Sequence, residues 1–457
     1  MGKADEVRKF IFEEISEGRL KTGQRLPSCR NVASLLSINK ITVNKVYHEL
    51  EQEHKVYSIP RGGFYLVVTE ENKRTAQEIV DFRTVRPEDR LIPYREFSHV
   101  MNIAIDRYKN SLFGYETTSG LPSLRNTLKL EFEKDGVYTA AEKIIITNGA
   151  QQAIWLVLQS LFRTSDLDCQ SILYRDCKGK LLVEVPTYNL VLKLADYLRI
   201  EVIGIERRLD GFDYKEMEKI FMSGDIKAFY IMPRHHNPTG YTLTEKEKQR
   251  IAELACKYNI QIIEDDYLAD LGSRKGYLPI HYYDISKRTI YIRSFSKTFM
   301  PGIRLGCAVL PETMVADITY LKQISDLNTS KLPQAALDNF IKSGMYEKQV
   351  IKVRQSYENK LRKAAEICKS FIQEGFQIHV PEHGIFLWLQ LPSQIKAEEL
   401  EKKLEESGIY IKAATEFFPI KWLEESKLRN CNYIRICISG VSEEQMDALA
   451  TVITAIK

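Results

Sequence analysis

The first seventy residues alternate apolar and polar positions in a pattern that predicts three helices and two short strands. Apolar residues at Val7, Phe10, Ile11 and Ile15 repeat with the period of a helix, and Gly18 ends that repeat. The chain therefore begins with an amphipathic helix that has one face available for packing.

A second and a third helix follow with only three residues between them. Ser28 is placed to cap a short helix that runs to about Leu36, and the break 37–39 precedes a longer helix. The inward positions of the longer helix are all apolar: Ile41, Val43, Val46, Tyr47 and Leu50. Two helices joined by so short a turn form a helix-turn-helix, whose second helix can enter the major groove of DNA.

Two short alternating strands, 55–59 and 64–68, enclose the turn 60–63 and predict a wing with a basic tip. Positive charge is concentrated in the same region. Residues 19–61 carry eight basic and three acidic side chains, a net +5, whereas the whole chain has a net charge of +4. A local basic surface is what DNA phosphates select, although charge alone is equally typical of a solvated helical face.

From about residue 88 onward, short apolar runs alternate with amphipathic helical stretches. Six of these runs have the length of buried strands: 143–146, 181–185, 228–231, 260–263, 289–292 and 307–310. Short apolar strands separated by helices predict an α/β fold on a mostly parallel, doubly wound sheet. Because ligands bind beyond the strand ends of such sheets, the residues after each run are the candidate site residues.

Those residues have distinct chemistries. The turn 147–152 opens a helix and presents backbone amides that suit a phosphate, Tyr188 can stack on a flat ring, and Asn237 lies in a rigid Asn-Pro-Thr-Gly turn. Further polar groups follow later runs: Asp265, Tyr267, Ser294, Ser296, Lys297 and Arg304. Taken singly, each has a simpler interpretation as a solvated, capping or packing residue, so the prediction depends on their conjunction.

One cofactor, pyridoxal 5'-phosphate, uses all of these groups together. Lys297 supplies the amine that binds its aldehyde, and Asp265 supplies the carboxylate that keeps its ring nitrogen protonated. Asn237 and Tyr267 are placed to hydrogen-bond the ring oxygen. The predicted phosphate contacts are Gly149, Ala150, Gln151, Ser294, Ser296 and Arg304.

Length and composition exclude several other classes of protein. The chain has 457 residues, 44% of them apolar and 28% charged, as in soluble globular proteins of two or three domains. It contains no apolar run of the roughly 18 residues that a membrane span needs, and its amino terminus lacks the apolar stretch of a signal peptide. The eight cysteines are scattered without a Cys-x-x-Cys pair, which predicts reduced thiols in the cytoplasm and no metal site.

The amino-terminal part resembles the winged helix of GntR-type transcription factors. The resemblance covers residues 5–68 and is carried by GRLKTGQRLPSCRNVASLL, TVNKVYHELEQE and PRGGFYLV. It implies a DNA-binding set composed of Arg25, Ser28, Arg30, Asn39, Lys40, Thr42, Asn44, Arg61 and Gly62. Asn44 and His54 depart from the residues usual in that family, so no operator sequence is implied, and a winged helix used only for protein contacts is the alternative.

The rest of the chain is similar to fold-type I aminotransferases of class I and II. The matching blocks are GYETTSGLPSLR, ITNGAQQAI, EVPTYN, HHNPTG, IIEDDY, SFSKTFMPGIRLG and YIRICIS. The resemblance implies that Lys297, Asp265 and Tyr188 are the catalytic residues and that Arg435 binds the substrate α-carboxylate. It also implies that Tyr115 reaches the phosphate of the neighbouring subunit.

Together the two halves resemble the MocR subfamily of transcriptional regulators. The implied arrangement is a winged helix at 1–68, a flexible linker at 69–88 and an aminotransferase-like domain at 89–457, with a large part at about 115–325 and a small part at about 89–114 and 326–457. The resemblance implies a head-to-tail homodimer that binds pyridoxal phosphate and a double-stranded DNA operator.

In the function implied by this resemblance, DNA binding is modulated by an amino compound that forms an external aldimine at the cofactor site. Two other hypotheses stay open. The chain is a working aminotransferase that carries a DNA-binding domain, a hypothesis that the complete catalytic set permits, or it is a sensor of pyridoxal phosphate or pyridoxamine itself.

Overall fold

The computed structural model divides the chain into two units, residues 1–78 and 79–457. The residues that it describes are 3–16, 19–20, 23–53, 55–59, 62–67, 79–114, 117–163, 179–272, 277–424 and 431–456. Within these ranges no helix is long and apolar enough to cross a membrane. Nor do these ranges bring histidine, cysteine and carboxylate side chains together in a group that would hold a metal ion.

The first unit contains the predicted helix-turn-helix and wing. Its elements are α1 Lys3–Ser16, α2 Cys29–Leu35, α3 Lys40–Gln52, β1 Val56–Ile59 and β2 Gly63–Leu66. Helix α2 begins where the Ser28 hydroxyl accepts a hydrogen bond from the Asn31 amide at 3.2 Å. Helix α3 begins in the same way at Asn39, whose side chain accepts from the Ile41 amide at 2.9 Å. Both caps are local, so the turn between the helices has a defined geometry.

The second unit contains the remaining strands and helices. The strands are β3 Val80–Asp81, β4 Ile144–Thr147, β5 Lys180–Val185, β6 Val202–Glu206, β7 Ile226–Ile231, β8 Gln261–Asp265, β9 Thr289–Ser294, β10 Gly306–Val309, β11 Ile378–His379, β12 Phe386–Gln390, β13 Ile409–Tyr410, β14 Lys412–Ala413 and β15 Tyr433–Cys437. The helices are α4 Tyr94–Tyr108, α5 Pro122–Lys134, α6 Ala150–Phe162, α7 Asn189–Tyr197, α8 Tyr214–Met222, α9 Glu245–Tyr258, α10 Ile280–Tyr283, α11 Glu312–Asp326, α12 Lys331–Lys342, α13 Met345–Gln373, α14 Ala397–Glu406, α15 Ile420–Glu424 and α16 Ala448–Thr454.

A seven-stranded sheet in the order β4-β10-β9-β8-β7-β5-β6 forms the centre of this unit. The ladders that join β6, β5, β7, β8 and β9 are parallel, and β10 pairs antiparallel with both of its neighbours. Helices pack on both faces in separate apolar clusters. The predicted mostly parallel, doubly wound sheet is therefore confirmed, with β6 as an edge strand that the apolar pattern did not reveal.

A smaller sheet, β11-β12-β15-β14, is antiparallel and packs against α13, α14 and α16 in its own core. We call this sheet and its helices the small part. Helices α4 and α12, which the sequence placed in the small part, instead share an apolar cluster with Ile146, Tyr291 and Cys307 of the central sheet. An amphipathic helix pattern shows that a helix packs, but not against which core, and this explains the difference.

The beginning of the second unit also differs from the prediction. Residues 79–91, here called the strap, include ten residues that the sequence assigned to a flexible linker. Strand β3 in the strap pairs with β13 in parallel register, and Phe82 is completely buried. The Cys437 amide donates a hydrogen bond to the Phe82 carbonyl at 2.8 Å. The strap is therefore a structural element of the small part, while residues 69–78 of the predicted linker lie outside the described residues.

Candidate functional site

A cavity of about 320 Å³ lies at the edge of the central sheet where the parallel strands end. Apart from Gly149 and Tyr115, the predicted cofactor residues all line it: Ala150, Gln151, Tyr188, Asn237, Asp265, Tyr267, Ser294, Ser296, Lys297 and Arg304. Arg435 from the small part lines it as well. Tyr115 lies outside the described residues. The fold thus brings together groups that are far apart in the sequence.

The carboxylate of Asp265 lies at the end of β8 and is nearly completely buried. Its Oδ2 accepts a hydrogen bond from the Tyr230 hydroxyl at 2.6 Å, whereas its Oδ1 meets no donor within the described part of the chain. Burial raises the pKa of Asp265 to about 7, against the opposing effect of the Tyr230 bond. A cationic N–H group at Oδ1 would favour the charged carboxylate and supply the missing partner.

The turn between β4 and α6 has the features of a phosphate seat. Gly149 has a φ of +81°, and a Cβ at this position would lie 3.0 Å from Nη2 of Arg304. Only glycine adopts this conformation freely and leaves room for the guanidinium. The guanidinium is therefore held beside the start of α6, whose first amides carry the positive end of the helix dipole.

Asp326 holds this turn in place from behind. Its carboxylate accepts hydrogen bonds from the side-chain amides of Asn148 and Gln152, at 2.7 and 2.8 Å. The buried amine of Lys322 also donates to it, at 2.7 Å. Sequence reasoning missed Asp326, because an acidic residue at the end of a helix has no pattern that points to a turn 174 residues earlier in the chain.

Lys297 follows β9 and extends into the cavity lining. Burial lowers its pKa to about 8, and the charges of Arg304 and Arg435 act in the same direction. Its Nζ donates a hydrogen bond to the carbonyl oxygen of Val85 in the strap. Because the neutral amine is the nucleophile, a lowered pKa makes Lys297 more reactive near neutral pH than an exposed lysine.

Arg435 on β15 is held from both sides of the cavity. Its Nη1 donates to Oδ1 of Asn237 at 3.1 Å, and its Nη2 donates to the carbonyl of Arg83 in the strap at 3.1 Å. Its Cζ lies 4.7 Å from the ring centre of Phe386. Among the described residues its Nε has no acceptor. A buried guanidinium fixed in this way is a suitable seat for a carboxylate.

Tyr188 and Tyr267, two of the residues predicted to contact the cofactor ring, lie near Asp265. Burial raises the pKa of Tyr188 to about 12, and the Asp265 carboxylate adds to that effect, which places the two side chains within electrostatic reach of each other. The Tyr267 hydroxyl donates a hydrogen bond to the carbonyl of His235 at 2.7 Å. The sequence predicts that Tyr267 donates to a ring oxygen. To do so, its hydroxyl has to turn away from the His235 carbonyl.

These residues fit pyridoxal phosphate. The unpaired oxygen of Asp265 suits a protonated ring nitrogen, the Gly149 turn with Arg304 suits a phosphate, and the Lys297 amine suits an aldehyde. Sequence reasoning missed two contributors to this arrangement, the Tyr230 hydroxyl and the strap carbonyls. Tyr230 lies inside an apolar strand, so the sequence predicts a core residue there. Every residue has a backbone carbonyl, so the sequence does not show which carbonyls face the cavity.

In the first unit, the predicted DNA-binding residues lie on or beside α2, α3 and the wing. Arg25, Arg30, Lys40 and Asn44 are exposed. Ser28 and Asn39 are exposed caps, whereas Thr42 and Gly62 are half-buried. The Cys29 thiol lies 3.8 Å from Oδ1 of Asn44, so the start of α2 adjoins the middle of α3. Arg61 lies outside the described residues.

Two protein families match the chain. The family of bacterial regulatory proteins, gntR family, matches residues 3–66, and the family of class I and II aminotransferases matches residues 93–453. The second match covers well over half of the chain. Each match corresponds to one of the two structural units.

Individual relatives and structures agree with these matches. The HTH-type transcriptional regulator YcxD of Bacillus subtilis is 34% identical over 442 residues, which is 96% of each chain. The HTH-type transcriptional regulator NorG of Staphylococcus aureus is 25% identical, covering 80% of this chain and 86% of NorG. The crystal structure of a kynurenine aminotransferase from Pyrococcus horikoshii superposes with a TM-score of 0.74 at 24% identity, covering 84% of this chain and 91% of that one.

Replacing Asp265 by asparagine tests the electrostatics of the cavity. The pKa of Asp265 is raised from 3.8 to about 7 in the folded protein, so ionisation costs stability as the pH rises from 4 to 7. At about 1.4 kcal/mol for each unit of pKa, the cost at pH 8 is on the order of 4 kcal/mol. We expect cofactor-free Asp265→Asn to unfold at a higher temperature than the parent protein at pH 8, and at nearly the same temperature at pH 4.5.

Differential scanning calorimetry of both proteins at the two pH values measures this difference. Addition of pyridoxal phosphate should stabilise the parent protein more than Asp265→Asn, because asparagine cannot hold the proton on the ring nitrogen. Equal melting temperatures at pH 8 would contradict the unpaired state of the carboxylate.

Proposed function

Because this chain belongs to the class I and II aminotransferase family and carries a gntR-family regulatory domain, we propose that it is a transcriptional regulator controlled at a pyridoxal phosphate site. The observation that carries this proposal is the presence, in one chain, of an exposed helix-turn-helix and a cavity that contains Lys297, Asp265 and Arg435. Similarity to YcxD over 96% of both chains supports the same arrangement of the two units.

In this proposal, different residues of the chain bind different parts of the cofactor and of the effector. Asp265 holds the proton on the ring nitrogen, Tyr188 stacks on the ring, and Asn237 with Tyr267 hydrogen-bonds the ring oxygen. The start of α6, Ser294, Ser296 and Arg304 hold the phosphate. Pyridoxal phosphate supplies an aldehyde that bonds reversibly to amines, so an amino compound competes with Lys297 for it. Arg435 binds the carboxylate of that compound.

In this proposal the strap links the site to the segment of the chain that leads back to the first unit. Arg435 contacts an effector carboxylate on one side and donates to the Arg83 carbonyl on the other. The neighbouring Thr84 carbonyl accepts a hydrogen bond from Ser439 at 3.3 Å. A shift of Arg435 on binding therefore changes the hydrogen bonds of the segment that follows the DNA-binding unit in the chain. If the effector and DNA favour different arrangements of the strap, binding of one lowers the affinity for the other by the same factor in both directions.

The proposed molecule is a homodimer, arranged head to tail as the resemblance implies, that binds a double-stranded operator. Apolar side chains are exposed along the stretch that precedes Tyr115, namely Tyr94, Ile103, Ile105 and Phe113. Large exposed apolar side chains are common at protein–protein interfaces. Two-fold pairing of winged helices also matches the two half-sites of a typical operator.

The Lys297→Ala variant tests whether cofactor binding can be lost while DNA binding is kept. We expect Lys297→Ala to lose the visible absorbance of the lysine-bound cofactor and to keep its affinity for the DNA upstream of its own gene. That affinity should no longer respond to amino acids that shift binding of the parent protein. Absorbance spectra and fluorescence anisotropy with labelled DNA measure these properties, with exposed Lys402→Ala as the control variant. A parent protein that stays colourless with added cofactor would contradict the site assignment.

Neutralising single cations on the first unit tests the DNA surface. Arg30→Gln and Lys40→Gln should each weaken DNA binding and lower the slope of log K against log salt by about 1, because each removes one phosphate contact. Lys9→Gln on α1 removes the same charge away from α2 and α3 and should leave the slope unchanged. If affinity is unaltered in both variants, DNA binds at a different face.

A working aminotransferase is the second candidate function. The observation that favours it is that Lys297, Asp265, Tyr188 and Arg435 lie in one cavity, so the residues for amino transfer are complete. Incubating the protein with an amino acid and a 2-oxo acid, and counting products per active site, distinguishes the two functions. At most one product per site is expected of a sensor, whereas sustained turnover would establish the enzyme.

A further inference from the structure

A second cavity, of about 300 Å³, adjoins the cofactor cavity, and the described residues that line the two are different. Several segments supply residues to both cavities, as the neighbouring pairs Pro186 and Tyr188, Thr239 and Asn237, and Tyr433 and Arg435 show. The second cavity therefore lies on the far side of the same loops. The central-sheet part forms one wall of it, and the small part forms the other.

The wall from the small part is aromatic and rigid. Trp388 on β12 and Tyr433 on β15 stack with ring centres 4.9 Å apart and planes 11° apart. Trp422 packs over β6, where a Cβ on Gly204 would lie 3.1 Å from its ring. Ordered aromatic faces of this kind favour a flat ring as the ligand, because stacking then costs little conformational entropy.

The wall from the central sheet contains a buried cation with incomplete pairing. The side chain of Arg207 is 1% exposed, and its nearest carboxylate oxygen, on Glu184, is 3.6 Å from Nη1. Both Nε and Nη1 of Arg207 meet no hydrogen-bond acceptor in the described structure. Oε1 of Glu184 likewise meets no donor and offsets part of the Arg207 charge from the Nη1 side. Because buried arginines normally have their donors satisfied, the unused Nε beside a cavity indicates an acceptor that completes the site.

The other charges of the lining do not offset Arg207. Arg208 and Glu206, near the mouth, form an ion pair with each other at 2.8 Å. Leu209 also lines the cavity and is 62% exposed, which marks it as a mouth residue. A ligand thus meets aromatic rings on one wall and, on the other, polar groups that include the Arg207 guanidinium.

We propose that this cavity binds a small planar aromatic carboxylate, with its ring against Trp388 and Tyr433 and its carboxylate toward Arg207. The volume matches that of a site for a small organic molecule. Because the two walls belong to different parts of the unit, an occupied cavity holds those parts in one relative arrangement. The site is separate from the cofactor cavity, and it therefore acts whether or not the proposed regulation by amino compounds is correct.

The test uses 4-nitrobenzoate as the probe and its uncharged analogue 4-nitrobenzamide as the matched control ligand. Two of the three tryptophans of the chain, Trp388 and Trp422, line the cavity. We expect saturable quenching of tryptophan fluorescence that persists in Trp155→Phe, and calorimetric binding of the carboxylate about tenfold tighter than that of the amide. Absence of saturable binding, or equal affinity for both ligands, would overturn the proposal.

Substitutions of the exposed residue Leu209 at the mouth of the second cavity test the proposal without replacing a buried side chain. Leu209→Asp should weaken carboxylate binding several-fold relative to the isosteric Leu209→Asn, while amide binding stays equal in the two variants. Arg207→Met should abolish the preference for the carboxylate, with its melting curve recorded as a folding control. Saturating pyridoxal phosphate should leave probe binding unchanged. Displacement of the probe by pyridoxal phosphate would place the probe in the cofactor cavity and refute the second site.

Discussion

A ladder of parallel strands, β5-β7-β8-β9, is the constraint on which both cavities depend. Because the four strands are parallel, their carboxyl ends all lie at the same edge of the sheet. Residues that are distant in the sequence therefore lie close together at that edge. The cost is that Asp265, at the end of β8, becomes a buried carboxylate, and one of its oxygens meets no donor among the described residues. The parallel arrangement therefore brings the site residues together and also buries the Asp265 carboxylate, whose unfavourable charge a cationic ligand would offset.

The sequence was sufficient wherever the signal was local. Helix caps at Ser28 and Asn39 depend on residues two or three positions away, and the helix-turn-helix was accordingly predicted well. The exception is Ile41, which was predicted to lie inward but is 76% exposed at the start of α3. The strand-end residues of the cofactor cavity were predicted because an apolar run followed by a polar group is visible in the sequence. Their roles as ligands of the cofactor remain predictions.

The parts that escaped prediction depend on non-local packing. The strap has a strand of only two residues and few apolar positions, so no periodicity distinguishes it from a linker. Its order comes from β13, which lies more than three hundred residues later in the chain. The same reason applies to α4 and α12, whose amphipathic patterns fit either core, and to Tyr230, whose hydroxyl matters only because Asp265 lies beside it.

The strap also bears on how such a two-part chain arises. The gntR-family match ends at residue 66 and the aminotransferase match begins at residue 93, so the strap lies in the interval between them. Its backbone nevertheless completes the cavity, since Arg83 and Val85 supply carbonyls to Arg435 and Lys297. The boundary between the two structural units therefore falls before Ile79. An exchange of the first unit at that boundary would leave the cofactor cavity intact, whereas a join at residue 89 would remove the carbonyls that Lys297 and Arg435 contact.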